Sequence, residues 1–568
     1  MRRSLEGSTG DLILYAIIAR DETTGDEITG GQALARQLVR EGVDHVFGLP
    51  GDQLMHALDG LYDEPSIRYI TTRHEQATTY MADGYARAGG GFGVALVVPG
   101  PGVLNAGAGL STAYSCSSPV FLVAGQVPKR YIGKDVGVLH EINEQLDVVA
   151  PITKWRKRVL EVREIPAAVN EAVRQLKTGR PRPVHLEIPP DTLEEEGEAE
   201  LLPAVQVQRA AAPDAEIERA ARLLLGATRP VIYAGGGVHA SGAHEALAAV
   251  AEYVQAGVVQ SAEGKGAVSD HSDLSLGATL WPRNPLREYL DAADVVFAVG
   301  SRCAIAAFQP SQKIVQLDVD AAEIGRNHPA AVGLVGDAKA TLERLLERLR
   351  TDAPPRPSRK REREALREAL AALDTQEPNA SILRALRAGT PEDAIVVAGM
   401  TQIGYYSRPF WPVYRPRTYL TSSYSGNLGF EVPTALGVKV ARPERTVICI
   451  TGDGGFMYNS QELSTAVREK INAVIVLFND EAYGNVARDL DEAWGGQHGA
   501  AVTNPDFMKL ADAYGVVGLR ATKPTEVGDL VRKAVGMDRP VLIEVRVGRM
   551  ARPAFFAPMK APDKYQKR

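Results

Sequence analysis

Two aspartates, Asp453 and Asp480, stand 27 residues apart in the stretch TVICITGDGGFMYNSQELSTAVREKINAVIVLFNDEAYGN, residues 446–485. Carboxylates are hard oxygen donors of the kind Mg²⁺ takes. The glycines around the first aspartate, Gly452, Gly454 and Gly455, let backbone come close to a ligand. A helix start beyond such a turn offers N–H groups to phosphate. The combination suits a Mg²⁺ that bridges protein carboxylates to a diphosphate.

The flanking elements must bring the two aspartates together. TVICI reads as a buried parallel strand, β-branched and uncharged. GDGG is the turn that leaves it. Asn459 is expected to cap the next helix, with Glu462 three residues on as its capping-box partner. Leu463, Ala466 and Val467 supply that helix with an apolar face. INAVIVLF is a second buried strand, and Asn479-Asp480 marks its carboxyl end. Ligands of open α/β sheets bind outside the carboxyl ends of strands. Adjacent strands would therefore bring both aspartates to one place. A GDG turn alone also fits an ordinary βαβ unit with polar turns.

The 568 residues allow roughly three to four domains. An apolar content of 45% and a charged content of 24% describe a globular chain. A net charge of −6 argues against a nucleic-acid partner. The three cysteines, Cys116, Cys303 and Cys449, are scattered without metal-binding spacing. They read as small buried hydrophobes in a reducing compartment, the cytoplasm. The histidines show no HxxxH pairing, so no zinc site is expected. LILYAIIA, residues 12–19, is flanked by Asp11 and by Arg20-Asp21-Glu22, and reads as an extension or a strand rather than a targeting signal. No apolar run reaches the ~18 residues that span a membrane, so no membrane partner is expected.

Arg-Pro-Val introduces a β-rich run three times, at Arg182, Arg229 and Arg539. Strands alternate with helical stretches throughout, the pattern of parallel sheets. Residues 194–213 are acidic and then Pro- and Ala-rich, and residues 352–379 open with DAPPRPSRKRERE. Cuts there leave α/β domains at 27–194, 213–351 and 380–550, with the charged runs read as solvated linker.

In the first domain, VDHVFGLPGDQLMHALDGLYD reads strand, turn, helix, with Leu54, Ala57, Leu58 and Leu61 on one face. ITTRHEQATTYMADGYARAGG is another strand-to-helix passage, and Glu75 opens its helix. The motifs FGLPG, RHEQA, ADGYAR, GPGVLNAGAGL and GQVP follow in order, and the GDG-to-ND string comes later. This series resembles the thiamine-diphosphate (ThDP) enzymes, most closely their acetolactate synthase and pyruvate oxidase branch. The resemblance covers roughly residues 27–550. It implies three doubly wound parallel-sheet domains, in the order pyrimidine-binding, central and diphosphate-binding.

The resemblance implies Mg²⁺ on Asp453, on the Asp480 side chain and on the Ala482 carbonyl, with Asp480 where the family more often has Asn. It places Pro50, Gly452, Gly454, Gly455, Tyr483, Gly484 and Asn485 against the cofactor. Glu75 matches the carboxylate that bonds N1′ of the pyrimidine. That role calls for a mostly apolar surround, which raises a carboxyl pKa. In TSSYSGNLGFEVPTALG, Gly426 matches the glycine whose carbonyl takes the 4′-amino hydrogen bond. Leu428 matches the wedge that folds the two cofactor rings into a V. Asp52, Asn105 and His140 match positions around the reacting carbon. Asn485 and Asp489 are polar where acetolactate synthases carry apolar residues. The central domain has VGSRCAIAAF where flavin-binding relatives carry an RFDDR-like run, so no FAD is expected. The same run lacks the signature Arg of acetolactate synthase.

The resemblance implies C–C cleavage and/or carboligation on a small-molecule 2-oxo acid or related ketone. A true acetolactate synthase and a catalytically silent scaffold of the same fold remain the alternatives. It also implies a homodimer or homotetramer, with each site shared between the first domain of one chain and the last domain of another.

Overall fold

The structure is a computed structural model that describes residues 26–278 and 284–553. The 12–19 run lies outside the described residues. The N-terminal domain contains β1 (Asp26–Thr29), β2 (His45–Gly48), β3 (Arg68–Thr71), β4 (Gly93–Val97), β5 (Val120–Gly125), β6 (Trp155–Arg158), β7 (Val184–Ile188) and β8 (Glu196–Ala199). The central domain adds β9 (Pro230–Ala234), β10 (Gly257–Gln260), β11 (Val295–Val299), β12 (Lys313–Asp318) and β13 (Ala330–Val335). The C-terminal domain has β14 (Ile395–Ala398), β15 (Tyr419–Leu420), β16 (Val447–Gly452), β17 (Val474–Asn479), β18 (Val517–Ala521) and β19 (Val541–Arg546).

Three parallel sheets result, ordered β3-β2-β4-β5-β7-β6, β10-β9-β11-β12-β13 and β15-β14-β16-β17-β19-β18. Their central strands are buried on both faces, which is why VFLVAG, VVFAV and VIVLFN lack polar alternation. The three Arg-Pro-Val runs open β7, β9 and β19, each the penultimate strand of its sheet. In the C-terminal sheet the chain passes from β14 outward to β15 and inward to β16. Its switch point, and hence its ligand crevice, lies where Gly399 and Gly452 leave β14 and β16.

The glycine triplet after β9 has a packing explanation. A Cβ on Gly235 would lie 2.2 Å from the Gly300 carbonyl, and one on Gly237 would lie 2.6 Å from the Gly300 Cα. The two strand-end turns of the central sheet close on each other there. The charged run after residue 352 departs from its sequence reading. Lys360–Ala371 is a helix docked on the central domain rather than solvated linker. Arg363 is 1% exposed, pairs with Asp273 at 2.7 Å and bonds Gln255, while Leu366 and Leu370 join an apolar cluster of that domain.

The N- and C-terminal domains meet along the helices Glu75–Arg87 and Glu431–Ala441. A Cβ on Gly84 would sit 2.1 Å from the Thr434 carbonyl, and one on Gly437 would sit 2.0 Å from the Met81 carbonyl. Only glycine lets the two backbones come this close.

Asn459 and Glu462 do not form the expected capping box. The helix Glu462–Glu469 has no side-chain cap. Asn459 Nδ2 instead donates to the Gly429 carbonyl at 2.7 Å, and its Oδ1 accepts from Gln76 at 3.0 Å. The Glu462 carboxylate accepts from the backbone N–H groups of Arg73 and His74, at 3.0 and 3.1 Å, and from Thr465. Tertiary partners outcompete the local cap, and both residues fasten the two domains.

Candidate active site

β16 and β17 are adjacent, with Gly452 opposite Phe478, so their carboxyl ends deliver Asp453 and Asp480 to one crevice. Asp453 opens the short helix Asp453–Phe456 and is 1% exposed. Its Oδ2 accepts from Asn504 Nδ2 at 2.6 Å, and the same nitrogen reaches Asn479 Oδ1 at 3.1 Å. Asp480 Oδ2 accepts from Gln402 Nε2 at 2.6 Å. Burial, together with the negative charge of Asp453, pushes the Asp480 carboxyl well above the usual carboxylate range. Two carboxylates that oppose each other's ionisation are the electrostatic complement of a dication.

The surrounding glycines are required by contact. A Cβ on Gly454 would lie 2.7 Å from the Tyr483 ring, and one on Gly484 would lie 2.1 Å from Asp480 Oδ2. Ala482 forms an isolated antiparallel bridge with Ala501, and Tyr483 N donates to the Ala500 carbonyl at 2.8 Å. Asn485 is half-buried near the start of the helix Gly484–Trp494. A paired-carboxylate donor set beside a side-chain-free turn fits Mg²⁺ and a diphosphate. Among the described residues no group of three or more His, Cys, Asp or Glu side chains converges as a metal cage.

Below this turn lies Glu431, 1% exposed. Its Oε1 accepts from Thr451 at 2.7 Å, and its other oxygen has no hydrogen-bond partner among the described residues. Burial raises this carboxyl to about 7. A Cβ on Gly399 would meet the Glu431 carboxyl at 2.8 Å, and one on Gly455 would meet it at 2.5 Å. The acid thus fills the space between the two turns of the switch point.

Glu75 is the first residue of its helix, after the N-cap His74, and is 9% exposed. Asn105 Nδ2, from the helix Pro101–Cys116, donates to Glu75 Oε2 at 3.0 Å, and His74 Nδ1 stands 4.0 Å from the same oxygen. The surround of Glu75 is therefore more polar than its sequence role called for. Leu428 is half-buried and belongs to none of the apolar clusters among the described residues. Its loop bends at Gly426 (φ 65°) and Gly429 (φ 81°). Thr112 Oγ1 bonds Asn427 at 2.9 Å, and Asn459 holds the Gly429 carbonyl. One side of the Leu428 loop is thereby tied to the Asn105 helix and the other to the segment after Asp453.

Around the third group of candidates, Pro50 and Asp52 are exposed in the turn after β2, where a Cβ on Gly51 would strike Val98 at 2.3 Å. His140 is half-buried, and its Nδ1 lies 2.9 Å from Gln53 Oε1. Asp489 is held by Arg552 at 2.5 Å and Arg488 at 3.4 Å, so its charge is already balanced within the chain. A separate cavity of about 570 Å³ lies where the three domains meet, lined by Arg87, Cys116, His239 and Arg417 among others, and none of the site residues above lines it.

Sequence reasoning missed Asn504, Gln402, Gln53 and Glu431. Gln402 and Gln53 follow the carboxyl ends of β14 and β2, which is a usable signal. Asn504 sits in a loop with no local mark.

A switch-point crevice with a glycine turn and paired carboxylates, in a chain whose first domain presents a helix-opening glutamate, defines a diphosphate-cofactor enzyme. Family models agree along the chain. The N-terminal TPP binding domain of thiamine pyrophosphate enzymes matches residues 28–150, the central domain 217–345 and the C-terminal TPP binding domain 399–545. The chain belongs to the thiamine pyrophosphate enzymes, on the acetolactate synthase-like branch. It is 35% identical to a probable acetolactate synthase large subunit of Methanocaldococcus jannaschii, over 94% of this chain and 93% of that one. It is 36% identical to the probable 2-ketoarginine decarboxylase AruI of Pseudomonas aeruginosa, over 91% and 94%. Against the acetolactate synthase isozyme 3 large subunit of Escherichia coli the identity is 33%, over 92% and 95%. The protein is a ThDP-dependent enzyme.

Proposed function

We propose that this enzyme holds ThDP through Mg²⁺ on Asp453, Asp480 and the Ala482 carbonyl, and cleaves or forms a C–C bond beside the carbonyl of a 2-oxo acid. The observation that carries the reading is the facing of Asp453 and Asp480 at the ends of adjacent strands. ThDP supplies a nucleophilic carbon and an electron sink when bound. The protein supplies the rest. Glu75 holds a proton at the pyrimidine, and Asn105 orients the Glu75 carboxylate. Leu428 and Gly426 shape the cofactor, while Gln402 and Asn504 aim the two metal carboxylates. Asp52, His140 and Asn485 face the substrate.

Those polar side chains favour a 2-oxo acid with a polar side chain. The similarity to a 2-ketoarginine decarboxylase supports that choice over pyruvate condensation. No FAD is needed for this chemistry. The N-terminal, central and C-terminal domains act as pyrimidine, central and diphosphate units, and two chains share each site in a homodimer or homotetramer. Unpaired Cys116, Cys303 and Cys449 fit a cytoplasmic setting, and no described helix is long and apolar enough to cross a membrane.

The test is a melting scan with ThDP and Mg²⁺, followed by a panel of 2-oxo acids assayed for CO₂ release and for carboligation. A rise in melting temperature and turnover of a polar 2-oxo acid are expected. A cofactor-insensitive, inactive protein would instead mark a silent scaffold.

A further inference from the structure

His140 and Gln53 come from different turns and meet in one hydrogen bond, Nδ1 to Oε1 at 2.9 Å. Gln53 is 4% exposed, and its Nε2 donates to the Leu139 carbonyl at 3.2 Å. A carbonyl only accepts, so this contact fixes the orientation of the amide. Flipped, Gln53 Oε1 would face the Leu139 oxygen, acceptor against acceptor. With Oε1 toward the ring, Nδ1 must carry a proton. A neutral imidazole has a single N–H, so Nε2 keeps the lone pair. Nε2 makes no hydrogen bond to the described residues.

The backbone that carries the ring has little freedom to move. His140 sits in the left-handed region at φ 67°, and a Cβ on Gly100 would lie 2.3 Å from the His140 carbonyl. Gly100 caps the helix that carries Asn105, the partner of Glu75. Gly100 N is itself held at 2.8 Å by Gln145, a fully buried amide that also bonds Gly125 and Glu187. On the other side, Gly125 packs against Gln53, where a Cβ would be 3.1 Å from the Gln53 Cβ.

We propose that Gln53 is a positioning residue that locks His140 as the Nδ1–H tautomer and so presents Nε2 to substrate as a proton acceptor. This rests on the 2-oxo acid reading above. In the step, the hydroxyl that the 2-oxo carbonyl becomes after attack would lose its proton, the proton would form an N–H bond at Nε2, and the O–H electron pair would re-form the C=O bond of the released product. The imidazolium keeps its Nδ1–H bond to Gln53 Oε1, and the proton later returns to product or water. No oxidant or co-reactant is required.

The experiment uses ThDP- and Mg²⁺-saturated full-length enzyme labelled with [¹⁵N]histidine, with His140 assigned by the signal lost in His140→Gln. Long-range ¹H–¹⁵N spectra should show protonated Nδ1 and bare Nε2 in the wild type. Gln53→Leu should release the ring to a tautomer mixture and lower kcat about 10- to 100-fold, a part of the roughly 100- to 10,000-fold that a whole general base contributes, with KM within about twofold. A wild-type ring protonated at Nε2 overturns the inference, and that spectrum decides even if Gln53→Leu does not fold. An unchanged tautomer in folded Gln53→Leu also overturns it. An enzyme with the stated tautomers that turns over no 2-oxo acid upholds the role of Gln53 and overturns only the reading of the reaction.

Discussion

Asn504 Nδ2 and Asp453 Oδ2 lie 2.6 Å apart across 51 residues of chain, and the same amide reaches the carboxyl end of β17 at Asn479. A neutral donor here points the carboxylate without cancelling its charge. Partners that orient metal ligands typically carry 10- to 100-fold in metal affinity. Asn504→Ala should therefore weaken Mg²⁺-dependent ThDP binding by about that factor. Calorimetry of ThDP binding at fixed Mg²⁺ measures it, and wild-type affinity would remove Asn504 from the site.

Asp453 and Asp480 should not be equivalent. Asp453→Ala should abolish ThDP binding, because the diphosphate would then face Asp480 without a cation between them. Asp480→Asn should be tolerated, because an amide oxygen still ligates and the repulsion that raises the Asp480 carboxyl is gone. Loss of binding in Asp480→Asn, measured by the same titration, would contradict this.

Glu462 makes a pH prediction. Burial raises its carboxyl from 4.5 to about 7 despite bonds from Thr465 and the Arg73 and His74 backbone. The folded state then holds a proton that the unfolded state has released. Its stabilising contribution is full below pH 4.5 and is lost as pH rises through about 7. Melting temperature should thus fall more steeply between pH 5 and 8 in the wild type than in Glu462→Gln, roughly over the titration range of that group. Parallel curves would show that Glu462 does not titrate there.

Glu75 and Asp453 stand in different domains, which sets up a test of assembly. Glu75→Gln should bind ThDP yet lose most hydrogen exchange at the cofactor's C2, followed by NMR, because an amide cannot share a proton with the pyrimidine. Paired with Asp453→Ala in a purified heterodimer, it should recover up to half of wild-type activity, since a shared site can then be free of both lesions. Heterodimers without activity would place each whole site within one chain.

Much of this protein is legible along the chain because the relevant information is contiguous. TVICI and INAVIVLF carry the apolar runs of doubly buried strands, and β16 and β17 form there as adjacent partners. GDGG, RHEQA and the Gly426–Leu428 segment are short strings whose turns and glycines are local requirements of backbone geometry. The Arg-Pro-Val runs announce three strands for the same reason.

What the tertiary structure decided is the pairing of polar side chains. Asn459 and Glu462 had a good local use as a capping box, and the neighbouring domain offered partners at 3.0–3.1 Å that satisfied them better. Arg363 sits in a charged run yet is buried, because Asp273 and Gln255 await it on the central domain. Gln53 meets His140, and Asn504 meets Asp453, only after separate loops converge. A buried polar group must find a partner, but its own neighbourhood in the sequence does not say which one.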